Sequence, residues 1–147
     1  MATLRGCEFP EDRYYHPEHN VWAQRGPDGL ATIGATSFAV ALAVEFCAFV
    51  PKPSGTLVAR DRSFGVIELA KTLVAAKAPV TGTIEAVNEA VIARPELINT
   101  DSYGAGWLVK LRPARWEDDA ATLVTGPAIG PAFERMMALE NFDGARG

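Results

Sequence analysis

The sequence predicts a mainly β fold: two small sheets folded face to face, with short flanking helices and a helical C-terminal tail. Residues 18–33 read as a hairpin about Arg25-Gly-Pro-Asp-Gly29, where Pro27 presets φ and Gly29 supplies a positive φ. Gly55-Thr-Leu-Val-Ala59 is echoed 27 residues on by Gly82-Thr-Ile-Glu-Ala86. Each copy follows a proline and opens a run of β-formers, which suggests two quasi-equivalent sheets on either side of one connection. Sustained helical periodicity is concentrated near the end, in 115–124 and 131–139.

With 147 residues the chain is long enough to bury a core without metal or disulfide support. A net charge of -4 excludes a basic nucleic-acid footprint. The longest apolar run, Phe38 to Val44, stops at Glu45 and is too short to span a bilayer. The first residues, Met1 to Glu8, lack the apolar segment of a secretory signal, so the expected location is cytoplasmic, away from membranes. Two cysteines without a Cys-x-x-Cys pattern read as free thiols in a reducing compartment. Cys47, within Phe46-Cys-Ala-Phe-Val50, is expected to be a small buried hydrophobe. Cys7, in a polar stretch, is expected to be exposed and is the thiol with a possible redox role.

Taken in order, Arg5 to Arg13 reads as a polar leader running extended over the surface. Tyr14-Tyr15 begin the ordered chain. His16 and His19 bracket Pro17-Glu18, and this context reads as structural or surface histidines, because a zinc site needs more ligands than lie nearby. Thr36 is a good N-cap for an alanine-rich helix ending near Val44. Glu45 to Val50 has strand character, and Pro51-Lys-Pro-Ser-Gly55 breaks it. The second echo is expected to continue as strand through Val87 to Ile92. Arg94-Pro-Glu-Leu-Ile98 reads as a helical turn, 99–106 as a loop, and Trp107 to Leu111 as a strand. Phe133, Met136, Met137 and Glu140 recur at helical spacing, a stripe suited to core packing. Ile129-Gly130 and Gly144-Ala-Arg-Gly147 are expected to fray.

Phe64-Gly-Val-Ile-Glu-Leu-Ala-Lys-Thr-Leu-Val74 places one lysine, Lys71, between Ala70 and Thr72 near the midpoint of the echo. Glu68 is its nearest acidic neighbour. By itself such a lysine reads as solvated surface; its position between the two β-halves puts it on a connecting tip.

These segments together resemble the glycine-cleavage H-protein family, the lipoate carriers. The resemblance covers roughly Tyr15 to Arg112. It rests on Glu18-His-x-Val-Trp22, Ile33-Gly-Ala-Thr36, Val66-Ile-Glu-Leu-Ala-Lys71, Pro79 to Glu89, Pro95-Glu-Leu-Ile-Asn99 and Tyr103-Gly-Ala-Gly-Trp107. It implies a lipoyl-domain-like hybrid barrel-sandwich at 14–112, with a leader at 1–13 and a helical extension at 113–147 packed on it. It also implies lipoate bound covalently to Lys71 on an exposed hairpin, with Glu68 serving tip recognition or local electrostatics. The chain is then expected to be a monomeric carrier, not an enzyme, loaded by a lipoate ligase or other attachment enzyme.

The family tip usually has a small polar residue where Leu69 stands, and a glycine-acid pair where Ala43-Val44 stand. The leader and the long tail depart from the family pattern too, and the leader with the altered helix region resembles the lipoate-binding proteins that accompany a heterodisulfide-reductase-like complex in sulfur oxidation. The sequence therefore favours that branch. The alternative is a glycine cleavage system H protein, carrying an aminomethyl group among glycine decarboxylase, aminomethyltransferase and dihydrolipoamide dehydrogenase. A biotin carrier is disfavoured, because methionines would flank its lysine, and an unlipoylated H-like scaffold is the remaining reading.

Overall fold

Turn chemistry sets the first hairpin of the sandwich. Strands β4 (Val21–Arg25) and β5 (Ala31–Ala35) pair from Val21↔Ala35 to Arg25↔Ala31, and Gly29 has φ 81. The Asp28 carboxylate accepts from the Leu30 amide at 3.0 Å, holding the turn. Strand β3 (Tyr14–His16) pairs with the outer side of β4. Thr36 caps helix α1 (Ser37–Ala43), its hydroxyl accepting from the Ala39 amide at 3.0 Å. The chain continues through β6 (Phe46–Pro51), β7 (Leu57–Val58), β8 (Ser63–Leu69), β9 (Leu73–Lys77), β10 (Gly82–Val87), α2 (Glu89–Ala93), α3 (Glu96–Thr100), β11 (Val109–Pro113), α4 (Trp116–Ala120) and α5 (Ile129–Leu139). These elements come from a computed structural model that describes residues 1–144; the fraying expected of the terminal segment falls outside the described residues at 145–147.

A six-stranded sheet, β3-β4-β5-β11-β10-β7, packs on a three-stranded sheet, β6-β8-β9, in the expected mainly β sandwich. Val21, Ala23, Ile33 and Leu111 from the first meet Phe46, Phe49, Phe64 and Ile67 from the second in one buried cluster. The sheets are unequal, however. The two echoed segments are hydrogen-bonded neighbours in the larger sheet, with Gly82↔Val58 and Thr83↔Leu57, and do not lie in separate sheets.

Three local expectations change. The leader is not extended over the surface: β1 (Ala2–Leu4) and β2 (Cys7–Phe9) form a hairpin reversed by Arg5 (φ 47) and Gly6 (φ 82). The strand expected through Ile92 ends at Val87, because buried Asn88 caps α2 by accepting from the Ala90 amide at 3.1 Å. Ile129 does not fray but is fully buried in the first turn of α5.

The leader hairpin and α5 share a second core of Cys7, Phe9, Tyr15, Trp22, Phe38, Ile129, Phe133 and Met137. The expected stripe on α5 is therefore packing: Phe133 and Met137 are buried, and Met136 lies beside them. Each fully buried side chain of this size stabilises the fold by about 1.5–3 kcal/mol.

The Ile33-Gly-Ala-Thr36 segment has a packing reason for its glycine. A Cβ on Gly34 would lie 2.5 Å from the ring of its cross-strand partner Trp22. That ring cannot easily yield, since its Nε1 donates to the Ser102 carbonyl at 3.1 Å and the Arg13 guanidinium lies 4.5 Å from a ring centroid. Gly34→Ala is expected to destabilise by about 1–3 kcal/mol, read as a lower Tm with unchanged far-UV circular dichroism. An unaltered Tm would mean that Trp22 is free to shift.

Candidate functional site: a lysine at a hairpin tip

Lys71 stands on the turn joining β8 and β9. The two strands run in register through Glu68↔Leu73, Ile67↔Val74 and Val66↔Ala75. The Leu69 amide donates to the Thr72 carbonyl at 2.8 Å and closes the tip. No residue from Leu69 to Leu73 has positive φ, so ordinary side chains serve throughout the turn without a glycine. The hairpin is rooted by buried Phe64, Ile67 and Ala76, while residues 70–73 are exposed. Phe64 and Ile67 thus anchor a ribbon whose last turn exposes Lys71 to solvent.

No ion pair among the described residues engages Lys71. Glu68 is exposed on the outward face of β8, one register step from the tip. It lines the same shallow, open hollow as Lys71, Leu69 and Cys47. The structure therefore brings Glu68 and Lys71 together at one surface and leaves both open to a partner molecule.

A side-chain strut reaches this surface from the far side of the chain. The Asn99 amide group accepts from the Phe46 amide at 2.9 Å and donates to the Phe46 carbonyl at 3.0 Å, imitating a neighbouring strand. Phe46 pairs with Leu69, whose amide closes the lysine turn. Asn99 is thus a positioning residue that sequence reasoning quoted only as part of a segment. Asn88 does comparable work by donating to the carbonyls of Ala105 and Trp107 at 2.9 and 2.7 Å. Their shared signal is an asparagine within the family-like segments 79–89 and 95–99, where each binds main-chain groups of another part of the chain.

The expected exposure of the two thiols is reversed. Cys7 is 1% exposed in the second core, away from the lysine tip, and Cys47 is the exposed one. The reason for Cys47 is a bulge: the β6–β8 register shifts between Phe46 and Ala48. Phe46 and Phe49 can then both face inward at a spacing of three, and the extra residue, Cys47, is turned out. For Cys7, burial pushes the thiol pKa up, opposed in part by the Ser37 hydroxyl. Stoichiometric maleimide at neutral pH is therefore expected to label Cys47 and spare Cys7, since the thiolate is the nucleophile. Peptide mass mapping reads the result, and equal labelling in the folded chain would contradict the burial.

The local geometry is an exposed lysine and an exposed carboxylate lining one open hollow at a hairpin end. Among the described residues no helix is long and apolar enough to cross a membrane. The family model for the glycine cleavage H-protein matches residues 13–134. The chain is 42% identical over 128 residues to glycine cleavage system H protein 5 of Aquifex aeolicus, covering 84% of this chain and 86% of that protein. It is 36% identical over 121 residues to the H protein of Salinibacter ruber, covering 82% of this chain and 95% of the relative. A crystal structure of the H protein from Mycobacterium marinum superposes with a TM-score of 0.72 at 30% identity, covering 90% of this chain and 99% of that one. With a family match over most of its length and a shared barrel-sandwich fold, the chain belongs to the glycine cleavage H-protein family of lipoyl carriers.

Proposed function

We propose that Lys71 carries lipoate in amide linkage and that the chain shuttles an aminomethyl group among the enzymes of glycine cleavage. The observation that carries this reading is the lysine itself, exposed and without an ion-pair partner among the described residues, on a pinned hairpin in a chain of this family. An attachment enzyme must draw the amine into its own site, and a projecting turn permits that. Acylation removes the lysine charge, and here no buried counter-charge is stranded by the loss. When bound, lipoate supplies a strained five-membered disulfide that thiolates and reductants open readily.

The protein's own contribution is presentation. Phe64 and Ile67 hold the root, Asn99 braces β6, and the tether raises the local concentration of the carried group at each partner. Glu68 serves recognition of the tip. Val50, Val66 and Leu73 are exposed on the same small sheet and give partner enzymes an apolar landing beside the arm. The proposed partners are a lipoate attachment enzyme, glycine decarboxylase, aminomethyltransferase and dihydrolipoamide dehydrogenase. The chain performs no bond-making itself and works in the cytoplasm, where the free thiols Cys7 and Cys47 stay reduced. The proposed lipoyl unit is 14–112, with 1–13 and 113–147 as its leader and extension.

The sulfur-oxidation cargo favoured by the sequence becomes the second reading, because the relatives carry glycine-cleavage names. Two observations keep it in view: Leu69 stands beside the tip, and three of the relatives are numbered copies, 2, 3 and 5, from one organism. Lipoylated protein offered to glycine decarboxylase with glycine decides between them. Stoichiometric aminomethyl loading, followed by intact mass, is the expected outcome. A folded, lipoylated chain that takes no load would transfer the assignment to sulfur.

A further inference from the structure

We propose that His16, His19 and Asp61 form a binding site for one first-row divalent transition-metal ion at the root of the β8–β9 hairpin. His16 is the last residue of β3, and the chain turns back through Asn20 (φ 55), whose amide donates to the His16 carbonyl at 2.9 Å. This turn lays the His19 ring over the His16 ring, with centroids 3.9 Å apart and planes 14° from parallel. Asp61 arrives from the β7–β8 turn, held at φ 70 while its amide donates to the Ala78 carbonyl at 2.8 Å. The Nε2 atoms of His16 and His19 lie 3.2 and 3.0 Å from the same Asp61 oxygen, Oδ1.

Two imidazole nitrogens and one carboxylate oxygen are the borderline donor set that suits zinc, nickel or copper better than magnesium or calcium. Donors held at about 2.0–2.2 Å from a shared cation lie a little over 3 Å from one another. The observed separations are close to that, and the three ligand atoms all fall within 4.8 Å of one another. Among the described residues this is the one such grouping. The imidazoles are 17% and 18% exposed and the carboxylate 50%, so the remaining coordination positions open to water. Arg60 approaches the other carboxylate oxygen, Oδ2, at 3.7 Å and leaves Oδ1 to the histidines. Burial lowers the His16 pKa, with His19 adding to that effect and Asp61 opposing it.

Without a cation the two rings share one carboxylate oxygen. Ligation through Nε2 requires each imidazole to carry its proton on Nδ1. For His16 this gives up only a long contact, the His19 amide to Nδ1 at 3.3 Å. The occupied site clamps the β3–β4 turn to the β7–β8 turn, whose residues are more than forty positions apart in sequence. It stands apart from the lysine tip and does not depend on what Lys71 carries.

The test uses the full, untagged chain as Cys47→Ser, which removes the exposed thiol as a competing zinc ligand. The protein has two histidines in all, so imidazole NMR reports this cluster alone. Zinc is expected to bind with one equivalent and a Kd on the order of 10 µM or tighter, shifting both imidazoles together and raising the Tm. His19→Gln and Asp61→Asn are each expected to weaken binding at least about tenfold. Asn tolerates the positive φ at 61, so that variant separates loss of a ligand from loss of the turn. No saturable binding up to millimolar zinc, or binding unchanged in both variants, would overturn the site.

Discussion

Lys71→Arg is expected to abolish lipoylation completely while leaving the fold intact. Arginine keeps the positive charge and nearly the reach of lysine, but its guanidinium stays protonated and offers no nucleophilic amine. Residue 71 is exposed and engages no ion pair among the described residues, so the stability change should fall within about ±0.5 kcal/mol. The measurement is intact mass of both proteins from a host with an active lipoylation pathway. Wild type should gain one lipoyl group and the variant none, with superimposable thermal melts. A lipoyl group retained in the variant would move the attachment to another lysine. A wild type that stays unmodified despite the active pathway would defeat the carrier reading and leave the unlipoylated scaffold.

The largest effect on stability is expected from Phe133→Ala. The Phe133 ring is fully buried, 4.3 Å from the Phe9 ring, 5.6 Å from Tyr15 and 6.4 Å from Phe38 between centroids. It therefore joins α5 to the leader hairpin, to β3 and to α1. Truncation leaves a cavity walled by aromatic rings that cannot collapse without moving all of these elements. The cost should be about 3–5 kcal/mol, a large share of the roughly 5–15 kcal/mol that holds a typical domain folded. At about 2–4 °C per kcal/mol for a chain of this size, the Tm should fall by roughly 6–20 °C. Cys7 belongs to the same cluster, so its protection from maleimide should be lost in parallel. Lipoylation of the folded fraction should persist, because the lysine hairpin is rooted in the other core. A small Tm change with Cys7 still protected would show that α5 contributes little to the second core.

Much of the fold was legible from short stretches. The Arg25–Gly29 turn, the Thr36 cap and the breaker at 51–55 each work within a few residues, and the structure has the corresponding hairpin, helix and strand end. The candidate lysine was legible through the family motif, whereas the echo misplaced it: Lys71 lies on a turn within the smaller sheet and not on a connection between two sheets. Where local reading failed, a distant contact had intervened. Asn88 resembled strand continuation until its side chain found the carbonyls of Ala105 and Trp107 and capped a helix. Ile129 resembled a fraying end because the cluster that buries it includes Phe9 and Tyr15, from the first residues of the chain.

By itself the sequence determined the β-rich class, the main hairpins, the family resemblance and the projecting Lys71. The β-rich class and the hairpin at 18–33 depend on backbone preferences and periodicity, which act over a few residues; the projecting Lys71 is what the resemblance implies. Only the tertiary structure decided which thiol faces solvent, how the echoed strands pair, and that His16, His19 and Asp61 meet. The bulge at Cys47, the wedging of the leader hairpin against α5, and the convergence of two turns all follow from packing between segments far apart in the chain.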